Sequence, residues 1–136
     1  MHYMHYMLDT DTCIYYSRKT SPSVTARVHR QSPGDLVISA VTYGELRFGA
    51  EKSANPSIAL QVLDTFTQAV PALPLDPQVG EHYGRIGLQL QRKGLMIGNN
   101  DLWIAAHCLQ LGLTLVTNNE REFSRIPNLT IENWTR

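Results

Sequence analysis

Short apolar runs alternate along this chain with longer stretches whose apolar residues recur at steps of three and four. Tyr6–Leu8, Leu36–Ser39 and Leu113–Val116 are runs of three or four mostly apolar residues bounded by turn formers, which predicts strands buried on both faces. Val70–Leu75 carries two prolines, so it predicts an edge strand or short extended run. Leu129–Ile131 predicts a last short strand.

The intervening stretches predict helices. Thr10 or Asp11 can cap a short piece over Thr12–Ser17. Ser21-Pro22 supplies an N-cap and a first-turn proline for Ser23–Arg30, with Val24 and Val28 on one face. Thr42 can cap a helix over Tyr43–Ser53, which puts Glu45 in a capping-box place. Gly44 and Gly49 each cost that helix about 1 kcal/mol, which predicts a close-packed neighbour. Asn55-Pro56 opens Ser57–Gln68. Asp76-Pro77 opens the longest helix, with Val79, Tyr83, Ile86 and Leu90 inward and a stop at Gly94. Met96–Asn100 reads as a loop, and Asp101 opens an almost wholly apolar helix that Gly112 ends. Strands buried on both faces and separated by helices predict a parallel sheet in an α/β sandwich.

Length and composition narrow this picture. The 136 residues suit one domain spanning 1–136. With 43% hydrophobic and 18% charged residues, the chain is globular and not disordered. Twelve basic and twelve acidic residues cancel, which argues weakly against a nucleic-acid partner, although a local patch suffices for one. Cys13 and Cys108 have neither disulfide-framework nor zinc spacing, and read as small buried hydrophobes in a reducing cytoplasm. No stretch reaches the roughly 18 apolar residues of a membrane span. The start MHYMHYML lacks a basic region and is not a signal peptide; its duplicated MHY reads as an upstream start codon or a frayed strand extension.

The chemistry lies in the acids. Sites in parallel sheets form at the carboxyl ends of the strands. Asp9 follows the first strand, Glu45 lies in the helix after the second, and Asp101 opens a helix near the sheet. Asn119, Glu120 and Glu122 follow the strand after that helix. The other acids, Asp35 among them, fall in turns, caps or polar helix faces, where solvent accounts for them. Gathered carboxylates raise one another's pKa unless a cation joins them. Oxygen ligands without Cys or His select a hard ion, Mg²⁺ or Mn²⁺. Such a site suits phosphodiester hydrolysis. Taken singly, each acid also has an ordinary role as a turn, cap or helix-dipole residue. His107 reads as a core or partly exposed histidine, and Trp103 and Trp134 as packing residues.

Three segments, MLDTDTCIY (7–15), ISAVTYGELRFGAEKS (38–53) and IGNNDLWIAAHCLQLGLTLVTNNEREFSRIPNLTIENW (97–134), together resemble the PIN-domain family. Within it they look most like the VapC-type toxin ribonucleases of bacterial toxin–antitoxin pairs. The motifs come in order over nearly the full chain. The resemblance implies a PIN-like three-layer α/β/α sandwich with a mostly parallel central sheet. It also implies a metal-dependent endoribonuclease, a cognate VapB-type antitoxin and a homodimer. Family members cut structured RNAs, transfer RNA often among them.

Carried over by motif, Asp9, Glu45 and Asp101 are the catalytic acids. Asp9 and Asp101 would bind Mg²⁺ directly, with Glu45 helping directly or through water. Many members have a fourth acid two residues after the threonine of the fourth strand, where this chain has Asn119. Glu122 fits a later acidic position and is the candidate to replace it; the departure at Asn119 counts against a second metal site, so one Mg²⁺ is expected. Thr117 is expected to orient Asp9 or a metal water, and Asn119 to offer its amide to such a water. Asp11 is an N-cap or an outer group. Arg18, Lys19, Arg47 and Arg121 are candidates for holding an RNA backbone, with solvated surface the commoner role. An antitoxin arginine filling the acidic pocket would explain inhibition.

The alternative in the same chemistry is a PIN-type nuclease acting on other RNA or DNA outside a toxin–antitoxin system. An inactive binding module is a third reading, and the intact acidic trio speaks against it. A flavodoxin-like receiver would want a lysine after a late strand, and Leu113–Val116 supplies none.

Overall fold

In a computed structural model, which describes residues 4–136, five strands form one all-parallel sheet in the order β3-β2-β1-β4-β5. The strands are β1 (Tyr6–Leu8), β2 (Leu36–Ser39), β3 (Ala72–Leu73), β4 (Thr114–Val116) and β5 (Ile131–Glu132). The helices are α1 (Thr10–Arg18), α2 (Pro22–His29), α3 (Ala40–Glu51), α4 (Pro56–Ala69), α5 (Pro77–Lys93), α6 (Asn99–Leu111) and α7 (Glu120–Phe123). The first MHY triplet lies outside the described residues; Tyr6 of the second opens β1.

The two-residue period of a strand divides the core into two layers. Met7, Val37 and Leu115 point to one face and pack with Ile86 and Leu90 of α5 and with Leu102, Ala105 and Cys108 of α6. Leu8, Leu36, Ile38 and Val116 point to the other and pack with Cys13 of α1, Val24 and Val28 of α2, and Trp134. That is the three-layer α/β/α sandwich. Both cysteines are free and buried. No helix among the described residues is long and apolar enough to cross a membrane.

Several boundaries differ from the sequence reading because a different side chain caps the helix. Asp9 itself caps α1, with Thr12 N–H donating to Oδ1 at 2.9 Å, so Thr10 and the exposed Asp11 lie inside the helix. Ser39, the last residue of β2, caps α3 through the Val41 N–H. Thr42 is therefore a buried residue of the first turn and Glu45 is not in a capping box. α6 starts at Asn99, and β5 starts two residues later than expected and ends one later. Asp35 is buried, held by Ser32 N–H at 2.9 Å and His5 at 3.1 Å, rather than solvated. The expected close neighbours of Gly44 and Gly49 are absent: a Cβ at either would meet nothing within 4 Å.

The sheet's connectivity locates the site. The chain steps outward from β1 through β2 to the edge at β3, then returns to β4 on the opposite side of β1. β1 and β4 thus flank a topological switch point, where parallel sheets open a crevice at their carboxyl ends. The residues that leave those two strands are Asp9 and Thr117.

Candidate active site

Four acids from four segments meet at this crevice. Asp9 ends β1, Glu45 lies in the second turn of α3, Asp101 in the first turn of α6, and Glu122 in α7. The charges of Glu122, Asp9 and Glu45 all act on Asp101.

Three of the four carboxyls are held by neutral donors, while Asp101 bonds to Glu122. Asp9 accepts from the Thr12 N–H and from the Thr117 side chain. Thr117 in turn accepts from the Asn119 N–H at 2.9 Å, so its hydroxyl proton is directed to Asp9. Thr10 donates its hydroxyl to Glu45 Oε1 at 2.6 Å, with Thr42 Oγ1 at 3.2 Å. Gly98 N–H donates to Glu122 Oε1 at 2.8 Å, and the Asn119 amide donates to Oε2 at 2.9 Å. Gly98 is the N-cap of α6 and offers no side chain. Glu122 therefore neutralises the bare start of the helix that carries Asp101.

Electrostatics separates the acids. Burial pushes the Asp9 carboxyl up, against the hydrogen bonds from Thr117 and Thr12. Asp101 is pushed up to about 7, first by burial and then by its hydrogen bond to Glu122 and by the surrounding negative charge. Glu122 goes down: burial opposes this, but Gly98, Asn119, Asp101 and the charge of Arg125 outweigh it. The two carboxyls are pushed apart, so a proton shared between them rests on Asp101 in preference to Glu122.

Whether a divalent cation suits these residues can be judged from the donors. All are carboxylate oxygens, with no cysteine or neutral histidine among them, as hard ions prefer. Among the described residues, no three acidic, histidine or cysteine side chains close into a ready-made cage. Mg²⁺ does not require one, since it keeps several waters and commonly takes one or two protein carboxylates. The cost of ionising Asp101 beside three other acids is what a cation would remove.

Other expectations resolve as follows. The Asn119 amide donates one hydrogen bond to Glu122 Oε2 at 2.9 Å. Arg18, Lys19 and Arg121 are exposed, and Arg47 pairs with Glu51 at 2.8 Å. His107 is buried with Nδ1 2.8 Å from Ser39 Oγ; burial lowers its pKa. Trp134 is a core residue, while Trp103 is half-buried and stacks on Tyr83 at 3.8 Å. The sequence reading missed Thr10, Gly98 and Arg125. Thr10 had a signal, because it directly follows Asp9. The other two act through backbone and long-range contacts that carry none.

The chain matches the model of the PIN domain over residues 6–129. It belongs to the PIN-domain family. Among PIN domains it is 40% identical to ribonuclease VapC1 of Haemophilus influenzae over 134 residues, covering 98% of this chain and all of that one. It is also 40% identical to the tRNA(fMet)-specific endonuclease VapC of Salmonella typhimurium, covering 96% and 98%. The solved structure of VapBC-1 from nontypeable Haemophilus influenzae contains a chain that superposes with a TM-score of 0.90 at 40% identity, covering 98% of this chain and 100% of that one.

Thr10→Val tests how this PIN domain holds Glu45. It removes the donor to Glu45 while keeping shape. We expect kcat for RNA cleavage to fall about tenfold, a typical loss for an outer partner of a metal-site carboxylate, with the melting temperature within about 2 °C of wild type.

Proposed function

We propose that this protein is a metal-dependent endoribonuclease, the toxin of a VapBC-type pair, acting in the cytoplasm as a homodimer. The observation that carries the reading is the convergence of Asp9, Glu45, Asp101 and Glu122 at the switch point, in a chain 40% identical to VapC ribonucleases over nearly its whole length. A VapB-type antitoxin is the proposed partner, in keeping with the VapBC complex that contains the similar chain. A transfer RNA is the proposed substrate, in keeping with the name of the Salmonella relative.

Asp9 and Asp101 would hold one Mg²⁺, or Mn²⁺, with Glu45 beside it. Bound there, the cation supplies the positive charge that polarises a phosphodiester and acidifies the attacking water. The protein's own groups do the rest. Thr12 and Thr117 fix the Asp9 carboxylate. Thr10 fixes Glu45, which lines the crevice as an acceptor for a water proton. Glu122, tied to Gly98 and Asn119, keeps the start of α6 in place and holds negative charge beside Asp101. That Glu122 is an anchor as well as a catalytic acid fits its two satisfied oxygens.

Incubating the purified protein with total transfer RNA tests the reading. Cleavage is expected with Mg²⁺, to be lost in excess chelator and restored by adding the ion back. Equal cleavage with and without chelator would refute it. Cleavage of duplex DNA but no RNA would favour the alternative of a PIN nuclease outside a toxin–antitoxin system.

A further inference from the structure

α3 carries more than Glu45. Val41, Glu45, Phe48 and Lys52 fall at steps of three and four, so they form one stripe along the helix. Val41, Gly44, Glu45 and Phe48 line an open groove of about 560 Å³ with Asn100 of α6 on its other side. One wall of this groove is thus an acid of the candidate active site.

Two features of the groove have no explanation within the chain. Phe48 is 67% exposed, the most exposed large apolar residue described. Lys52 places its ammonium 5.1 Å from the centre of the Phe48 ring. The ring and its cation make a platform on the outside of the protein. Gly44 is the second. A helix-interior glycine costs about 1 kcal/mol relative to alanine, and close internal packing usually accounts for one. Here a Cβ at Gly44 would meet no atom of the protein within 4 Å. It would project into the groove between Glu45 and Phe48.

We propose that this groove is a base-stacking subsite for the RNA substrate. A nucleobase next to the cleaved phosphate stacks on Phe48, Lys52 neutralises the adjoining phosphate, and the bare Gly44 backbone admits the sugar. An aromatic ring beside a lysine suits a single-stranded nucleic acid, in which every base offers a face. The continuity of the groove with Glu45 makes nucleic acid the occupant, because the next phosphate would then lie at the acids. This inference rests on the reading of the protein as a ribonuclease.

The test uses the full chain with Asp101→Asn as the background, which silences cleavage. Fluorescence anisotropy measures binding of a 12-nucleotide oligoadenylate and of an abasic 12-mer with the same backbone. Phe48→Ala is expected to weaken oligoadenylate binding about tenfold, within the range for one base–aromatic stack, and Phe48→Trp to restore it within about twofold. The abasic chain should bind all of these variants alike. Gly44→Gln should weaken oligoadenylate binding about fivefold while raising the melting temperature, a combination a merely structural glycine would not give.

Equal affinity of Phe48→Ala and its parent for oligoadenylate would overturn the proposal. So would equal losses with the abasic chain. A change only in molecular mass by light scattering, or only in antitoxin affinity, would assign Phe48 to a protein contact and overturn it as well. A separate arm tests wild-type protein on transfer RNA with Mg²⁺. No cleavage there, together with Phe48-dependent base binding, would sink the ribonuclease reading and leave the stacking site standing.

Discussion

Asp101→Asn is expected to lower Mg²⁺-dependent RNA cleavage by about 10³-fold, the scale of losing one preorganised electrostatic group at a reacting centre. It should also make the cation-free protein more stable at pH 7.5. The two effects share one cause. Asp101 sits where burial and the charges of Glu122, Asp9 and Glu45 oppose its ionisation. Asparagine keeps the shape and removes the charge, so the fold loses a strain that function requires. Adding Mg²⁺ should raise the melting temperature of wild type and leave the variant nearly unchanged, because a ligand stabilises only the state that binds it. Cleavage by the variant within about tenfold of wild type would refute the ligand role of Asp101. A variant that is inactive but no more stable without the ion would mean that the acids are less strongly coupled than their surroundings indicate.

Local signals carried most of the fold. The three central strands needed only apolar runs and their flanking turns, and the structure places them within one residue. Ser21, Asn55 and Asp76 cap the helices that the sequence assigned to them, and Gly94 and Gly112 end theirs with positive φ of 69° and 68°. The misplacements share a reason. Asp9 and Ser39 each end a strand and cap the next helix at once, leaving no loop residue to do it. A sequence offers several candidate caps in a row, and only the direction in which the strand delivers the chain chooses among them. The site divides in the same way. That acids follow strands is visible in order along the chain. That Glu122 binds the Gly98 amide 24 residues earlier is not, because a backbone N–H has no sequence signature. Gly44 failed in an informative direction: the rule that a helical glycine marks close packing assumes that the neighbour belongs to the same chain.

The second large effect is a dependence of stability on pH that Mg²⁺ should erase. In the unfolded chain Asp101 titrates near 3.8, and in the folded, cation-free protein near 7. Between those values the folded state binds a proton that the unfolded state has released. Stability from this group therefore falls as pH rises from about 4 to about 7. The full shift would correspond to about 4 kcal/mol. About half of that is expected after screening of a half-exposed group, or roughly 5 °C in melting temperature. His107 acts in the opposite sense, since burial keeps it neutral in the fold while the unfolded chain protonates it below 6.5. The useful quantity is thus wild type minus Asp101→Asn, measured by calorimetry between pH 5 and 8 in chelator. That difference should move steadily toward the variant from pH 5 to pH 7 and level off by pH 8, and saturating Mg²⁺ should move it back toward wild type at pH 8. Glu122→Gln offers an internal control. Removing the Glu122 charge lowers the Asp101 pKa toward its ordinary value, so the decline should be smaller and should end at a lower pH. A flat difference across the whole range would remove the electrostatic argument for a cation at this site.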